Sequence, residues 1–510
     1  MLQALLGAES LAKDKKWEES YRAFNMVLLA EPENIRGLMG FGVVCFETRK
    51  LDEALEAFST ILRLKPHHVE ALRSQILVLA ASKMEDECLK ALAAYMVGRD
   101  EEDTALAFAA QTYKELGRLD DAARMIDQAL IHAKFGREVK YRDIRAEITG
   151  LPKPSAVRGR VNICCCCAPG MDGFIYDIIR MLEPYCRTVT CVSARPEDHF
   201  RAVEGADFVW LEWGNQLTQL ILSQKNLFRF RDMGRGRYRQ VAVRLHSYEI
   251  YDGLVEKIDF SMASDIVFVS TFMKELFLNK NIASAANRRL HVIRNGIDVK
   301  RFSFVPREPK PGGEAKIAFL GFISYKKDPM LMLHAFSHLA KTRPDLTLHV
   351  AGTFQDKRYE IGMPHFIEAA GLGDRVKFYG HISDADRWLA DKDYILCSSL
   401  NESQGVGLLE AMSRGCRPLI YNFPGAMDLY PAEYLWTTFD DLDRLFESGP
   451  DPADCSAMVA EYYSKTREVR SWLGIILNEL RMQEQPLPFN RPDSDENVVC
   501  PTPPFGTPLA

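Results

Sequence analysis

Ser398-Ser399-Leu400-Asn401-Glu402-Ser403-Gln404-Gly405-Val406-Gly407-Leu408-Leu409-Glu410-Ala411-Met412-Ser413-Arg414-Gly415 is the most informative stretch of the chain. An apolar run at 394–398 leads into it and reads as a buried strand. Gly405 and Gly407 open a segment of helical periodicity, and Gly415 is a natural helix stop. The two opening glycines let the backbone approach a ligand closely, with Val406 between them. The free N–H groups at such a helix start offer an anion site. Glu402 lies in the loop, where a carboxylate can bond sugar hydroxyls or support positive charge at an anomeric carbon. Glu410 lies early in the helix, and a carboxylate there accepts from two neighbouring hydroxyls, which suits a ribose diol. Chance places about two such glutamate pairs in a chain this long, so the spacing matters only in its strand–loop–helix context.

Outward from this stretch, short apolar runs alternate with helical segments. Runs at 316–320, 346–351, 376–379, 394–398 and 418–421 form one series. An earlier series lies at 161–167, 188–193, 206–213, 241–245 and 266–269. Buried strands alternating with helices imply parallel sheets covered on both faces. Two successive doubly wound domains place a ligand between them, at the carboxyl ends of the strands.

The first 136 residues follow a different period. Pro32 and Pro66, Phe24 and Phe58, and Ala54, Cys88 and Ala122 all recur at 34-residue intervals, as do Gly42, Ile76 and Ala110. Small residues recur where two helices must approach closely, and large apolar ones where the next unit packs. This resembles the tetratricopeptide repeat, in four helix–turn–helix units with a capping helix near 138–148. Such an array offers a groove for a peptide or protein partner, or acts as a spacer or dimerisation module.

The expected organisation is therefore α + α/β. A tetratricopeptide α-solenoid occupies 1–149 and a Pro-containing linker 150–160. An N-terminal α/β domain spans 161–305. A C-terminal α/β domain spans 306–485. A disordered tail follows at 486–510, holding seven of the 25 prolines.

The 510 residues carry a net charge of −6, with 47% hydrophobic and 26% charged residues. That composition is globular and argues against nucleic acid as a whole-surface partner. The amino terminus lacks a basic region followed by a long apolar stretch, so a cytoplasmic protein is expected, with the inner membrane face as an alternative. Of the 12 cysteines, Cys164 to Cys167 are consecutive and read as small buried hydrophobes rather than a metal or disulfide set. Residues 225–239 carry six basic residues against one acidic, which reads as a solvated face ahead of a peripheral membrane contact.

The stretch 398–415 resembles the Glu-x7-Glu motif of retaining glycosyltransferases of group 1 (family 4), where a glycine matches Gly405 and Glu-Ala-Met matches Glu410-Ala411-Met412. Phe319-Leu320-Gly321-Phe322-Ile323-Ser324-Tyr325-Lys326-Lys327-Asp328 resembles that family's phosphate segment. Ile293-Arg294-Asn295-Gly296-Ile297-Asp298 resembles its Pro-Asn-Gly-Val-Asp segment. The resemblance covers roughly 161–480 and implies a GT-B fold, with a nucleotide-diphosphate sugar, UDP- or GDP-linked, held mainly by the C-terminal domain. By position, Lys327 contacts the diphosphate, Glu402 the donor sugar and Glu410 the ribose. Gly321, Lys326, Asn295, Gly405, Val406 and Gly407 complete the donor side. The family often has arginine where this chain has Phe322, and Lys326, Lys357 or Arg358 can substitute. The family also often has a histidine where His246 ends a strand, near the donor sugar; a structural histidine is the equal alternative. Gly170, Gly173, Glu212 and Trp213 mark the acceptor side, with Trp213 read either as a sugar platform or as core. No Asp-x-Asp pair ends a strand, so no metal or other cofactor is expected.

The reading that follows is a retaining, metal-independent glycosyltransferase whose repeats recruit a protein acceptor or partner, with a protein or glycan as acceptor. Homo-oligomerisation is compatible with the repeats. The alternative is an interaction scaffold built on a weakened transferase fold.

Overall fold

The computed structural model describes residues 2–133, 137–151, 153, 161–173, 175–228, 239–307 and 314–477. Most of the expected linker, the basic segment from 229 to 238 and the expected tail lie outside the described residues. The chain divides into two compact units, residues 1–159 and 160–510. No helix among the described residues is long and apolar enough to cross a membrane.

In the first unit the described residues form helices Leu2–Lys13, Trp17–Ala30, Ile35–Glu47, Leu51–Leu64, Val69–Ala81, Glu85–Met96, Asp103–Glu115, Leu119–Ile131 and Glu138–Thr149. The 34-residue register of the sequence is carried by the backbone. Lys15, Arg49, Lys83 and Gly117, each 34 residues from the next, turn between paired helices with φ of 58°, 63°, 57° and 77°. Asn34 and His68, again 34 apart, cap the helices that follow, accepting from the amides of Gly37 and Ala71. Side chains fill the seams between helices. A Cβ on Gly42 would lie 2.6 Å from the ring of Phe58, so only glycine admits that ring. The last helix packs on its predecessors through buried Tyr141, Ile144 and Ile148. The unit is thus an array of helical hairpins, each burying its apolar face on its neighbour.

The second unit contains two six-stranded sheets whose paired strands all run parallel. The first sheet comprises β1 (Val161–Cys167), β2 (Cys186–Val192), β3 (Phe208–Glu212), β4 (Gln240–Leu245), β5 (Asp265–Phe268) and β6 (Arg289–Val292), in the order β2-β1-β3-β4-β5-β6. The second comprises β7 (Ala315–Leu320), β8 (Leu346–Ala351), β9 (Val376–Gly380), β10 (Tyr394–Cys397), β11 (Arg417–Tyr421) and β12 (Leu435–Trp436), in the order β12-β11-β10-β7-β8-β9. Both are doubly wound, and the α + α/β architecture expected from the sequence is the one found. Sequence reading missed β6 and β12. Both are edge strands, and β6, Arg-Leu-His-Val, is exposed or half-buried along its length and carries no apolar run. Cys164 to Cys167 are buried free thiols within β1, with Cys164 and Cys166 on one face, their sulfurs 3.7 Å apart.

The chain crosses between the sheets twice. Residues 293–305 lead from β6 into the second α/β domain. Helix Lys465–Ile476 returns to the first, where Trp472 stacks on Trp210 with ring centroids 3.6 Å apart.

Candidate active site

In the second sheet, strand order reverses between β7 and β10, which are hydrogen-bonded neighbours. The loops leaving their carboxyl ends diverge and leave a crevice. They are 321–328 and 398–405, the two segments that the sequence singled out.

These loops are stitched together. Ser398 Oγ donates to the Lys327 carbonyl at 2.7 Å, and the Leu400 amide donates to the Lys326 carbonyl at 2.8 Å. Gly321 takes φ 141°, and a Cβ there would meet Lys327 Cε at 3.3 Å, so the lysine folds back over a residue that must be small. Lys327 Nζ then donates to Glu402 Oε1 at 2.5 Å, and Ser399 Oγ donates to the same oxygen at 2.8 Å. Lys326 Nζ stands 3.8 Å from the other oxygen. A recess lined by Leu320, Lys327, Cys397, Ser399, Glu402 and Gly405 results.

The charges in this recess are coupled. Burial pushes the Glu402 carboxyl up, but Lys327 and Lys326 outweigh it and hold the group below the ordinary range. Burial lowers Lys327, yet the Glu402 carboxylate prevails and raises it. Lys326 goes the other way, since burial outweighs its longer contact with Glu402. One carboxylate thus faces two ammonium groups, a local excess of positive charge at the end of the crevice.

Gly405 starts helix Val406–Ser413 in left-handed backbone, φ 75°. Gly407 packs that helix on Leu320, since a Cβ there would lie 3.3 Å from it. Glu410, half-buried one turn further on, makes no side-chain hydrogen bond among the described residues. Burial pushes its carboxyl up to about 7, with Arg301 and Lys465 opposing more weakly. A buried acceptor without a partner is expensive unless a ligand satisfies it.

Across the cleft lies the carboxyl edge of the first sheet. Ser247 meets the second domain directly. Its Oγ and the Ser403 Oγ are 2.7 Å apart, its amide donates to Ser403 Oγ at 3.1 Å, and Lys326 Nζ lies 3.4 Å from its hydroxyl. His246, 3% exposed, pairs through Nε2 with Glu212 Oε1 at 3.0 Å and stacks on Trp213 at 3.8 Å. With Glu249 it also forms a capping box for helix Ser247–Tyr251. Trp213 adopts φ 73°, uncommon for a large side chain, and its Nε1 donates to the Met171 carbonyl at 2.7 Å. His246 and Trp213 are each tied into the structure by these contacts, and Trp213 keeps an exposed part. Glu212 is buried among Trp210, Arg244 and His246. Burial raises its carboxyl, and Arg244 with His246 carries it below the ordinary range. Gly170 and Gly173 have open space where a Cβ would stand.

The other predicted residues divide. Lys327, Glu402 and Gly405 line the recess, Gly321 and Lys326 adjoin Lys327 and Glu402, and Val406, Gly407 and Glu410 lie on the helix that starts there, with Arg301 and Lys465 near Glu410. Asn295 is engaged at the domain crossing: its backbone is clamped by Gln404 and its side chain accepts from Arg244. Phe322 is 57% exposed; of the three expected substitutes Lys357 is exposed, Arg358 is bound to its neighbour Asp356, and Lys326 lies beside Glu402 and Ser247. Sequence reading missed Ser247, Ser399, Ser403, Gln404, Arg244, Glu249 and Glu468. Ser399, Ser403 and Gln404 lie within the decisive stretch, so their nearness to Glu402 was available. Arg244 and Glu468 are 224 positions apart, and no local pattern links them.

Residues 301–441 match the family model for glycosyl transferases group 1. The match contains Gly321, Lys326, Lys327, Glu402, Gly405, Val406, Gly407 and Glu410 and leaves out Asn295, His246, Glu212 and Trp213. Over 138 residues the chain is 31% identical to the glycogen synthase of Mycobacterium tuberculosis, covering 26% of this chain and 32% of that one. Over 147 residues it is 30% identical to the D-inositol 3-phosphate glycosyltransferase of Paenarthrobacter aurescens, covering 27% and 36%. The chain thus spans about a third of the length of these curated relatives. Among solved structures, Anabaena HepE in complex with UDP aligns at 16% identity with a TM-score of 0.49, over 63% of this chain and 100% of that one.

Proposed function

We propose that the chain is a glycosyltransferase taking its sugar from a nucleotide-diphosphate sugar, with UDP- or GDP-linked donors first in line. The observation that carries this is the convergence of Lys326, Lys327 and the Gly405 helix start with the unpartnered Glu410 at one strand-order reversal, within the group 1 match. Cleaving a glycosyl–phosphate bond builds negative charge on the departing diphosphate. Two ammonium groups and a helix N-terminus oppose that cost in the transition state. Glu410 accepts from the ribose hydroxyls, and Glu402 contacts the donor sugar while orienting Lys327. Retention follows from attack on the face that the diphosphate leaves, without a protein nucleophile. The helical array recruits a protein acceptor or partner, and the carboxyl edge of the first sheet around Trp213 receives the acceptor.

The test is thermal unfolding against UDP-, GDP-, ADP- and dTDP-sugars, beside Glu410→Ala. A ligand at about 100 times its dissociation constant adds ~2.7 kcal/mol. One nucleotide class raising the midpoint, with the response lost in the variant, is the expected result; no shift by any class sinks the proposal. Exposed Phe322, where the family often places a cation, favours a second reading as a scaffold with weakened turnover. Donor binding without any nucleotide release over hours would select it.

A further inference from the structure

Arg244 is the penultimate residue of β4 and is 0% exposed. Its Nη2 donates to Glu468 Oε1 at 2.7 Å and to Asn295 Oδ1, and its Nη1 lies 3.6 Å from Glu212. Its carbonyl accepts from the Trp213 amide at 3.1 Å. The stacked rings of Trp210 and Trp472 flank it, each centroid 5.8 Å from the guanidinium carbon. One side chain therefore touches the end of β3, the domain crossing at 295 and the returning helix Lys465–Ile476.

Asn295 carries the connection into the donor loop. Its amide donates to Gln404 Oε1 at 2.6 Å, and Gln404 Nε2 donates back to its carbonyl at 2.7 Å. Gln404 is 1% exposed, two residues beyond Glu402 and immediately before Gly405, and its own carbonyl accepts from Tyr430 at 2.5 Å. The neighbouring Gly296 amide donates to Glu468 Oε2 at 2.7 Å, closing a ring through Arg244.

We infer that Arg244 is a positioning residue that sets the donor loop, residues 402–405, against the first α/β domain by way of Asn295 and Gln404. The inference rests on the proposed donor site and adds how that site is held in register with the acceptor side. Net stability is a poor reason for such a group. A buried ion pair gains little over apolar residues of the same volume, and Arg244 Nε and Nη1 have no hydrogen-bond partner. Geometry is the better reason. A planar guanidinium reaches Glu468, Asn295 and Glu212 at once, whereas an ammonium is a point charge and cannot.

The test uses the full chain, with Arg244→Lys, Gln404→Leu and the pair combined. Hydrogen exchange is followed in peptides covering 293–297 and 402–406, and nucleotide release is followed with UDP-glucose and GDP-mannose in water. Arg244→Lys is expected to speed exchange at least tenfold in both segments while leaving the β7–β8 peptides unchanged. It should lower turnover at least 30-fold with nucleotide affinity changed less than threefold. The double variant should be no worse than the poorer single one. Unchanged exchange at 402–406, or effects that multiply, overturn the inference. If Arg244→Lys does not fold, Arg244→Met with Glu468→Gln removes the ion pair as a unit and must loosen the same two segments. If no UDP-, GDP-, ADP- or dTDP-sugar binds the unmodified protein, the glycosyltransferase reading fails, and the exchange comparison still decides the role of Arg244.

Discussion

Glu410 is the side chain whose environment makes the sharpest demand. Burial holds its carboxyl at about 7, against an ordinary value of 4.5, so near neutrality it is part protonated. A neutral carboxyl has lost the acceptor capacity that a diol needs, so affinity for UDP-glucose, whose diphosphate does not titrate near neutrality, should rise as pH climbs from 6 to 8. Isothermal titration of Glu410→Gln should give about tenfold weaker binding with that slope gone. The stability effect has the opposite sign. Between 4.5 and about 7 the folded protein binds more protons than the unfolded chain, so stability from this group falls as pH rises through the window. Urea unfolding at pH 8 should therefore find Glu410→Gln more stable, on the order of 2–3 kcal/mol. Lys327 makes a different demand. Lys327→Met removes the nearest cation and strands a buried Glu402, so it should cost turnover roughly 10²–10³-fold and stability about 3 kcal/mol. Steady-state nucleotide release and chemical denaturation measure the two separately.

Among the elements, the turns of the helical array repeat a local strain. Lys15, Arg49 and Lys83 occupy left-handed backbone that Gly117 takes without penalty. Lys83 is exposed, and Lys83→Gly should stabilise the protein by roughly 0.5–1 kcal/mol in thermal or chemical unfolding. The turns leaving β7 and β8 show the reverse case. Gly352 takes φ 153°, and any Cβ there would run into the Gly321 carbonyl. Gly352→Ala should cost about 3 kcal/mol and displace Lys327, which folds over Gly321, so donor affinity should fall with stability. A loss of stability with donor affinity intact would separate Gly352 from the phosphate loop.

The two compact units carry separate hydrophobic clusters, and the second includes both sheets with their crossings. Calorimetry should resolve two unfolding transitions. A bound nucleotide sugar should raise the one belonging to residues 160–510 and leave the other where it was. Within the second unit, Ser247, Ser403 and Lys326 close the cleft by hydrogen bonds over a few ångströms, while Arg244, Asn295 and Glu468 close it at the hinge. The recess beside Glu402 is lined by the second domain, and Ser247 of the first reaches Lys326 and Ser403 next to it.

Much of this was present in the order of residues. Apolar runs of strand length alternating with helical stretches announce parallel sheets, because a strand buried on both faces must be apolar throughout. The 34-residue recurrence of Phe24 with Phe58 and of Ala54 with Cys88 announces the array, since each hairpin meets the same neighbour. Glu402, Gly405 and Glu410 were legible because a strand end, a glycine turn and a helix start put them in one short stretch, and Lys327, 75 positions earlier, because it follows the end of another strand. What folding alone settled is the company these groups keep. Nothing local tells that Lys326 faces Ser247, that both ends of Gln404 are used on Asn295, or that Arg244 finds Glu468 across 224 positions. Nor does it tell that Glu410 makes no side-chain hydrogen bond among the described residues while Glu402 has three polar partners. Local pattern reports which backbone a segment can form, whereas ionisation, burial and domain register depend on contacts between segments, which exist only once both sheets and the returning helix are in place.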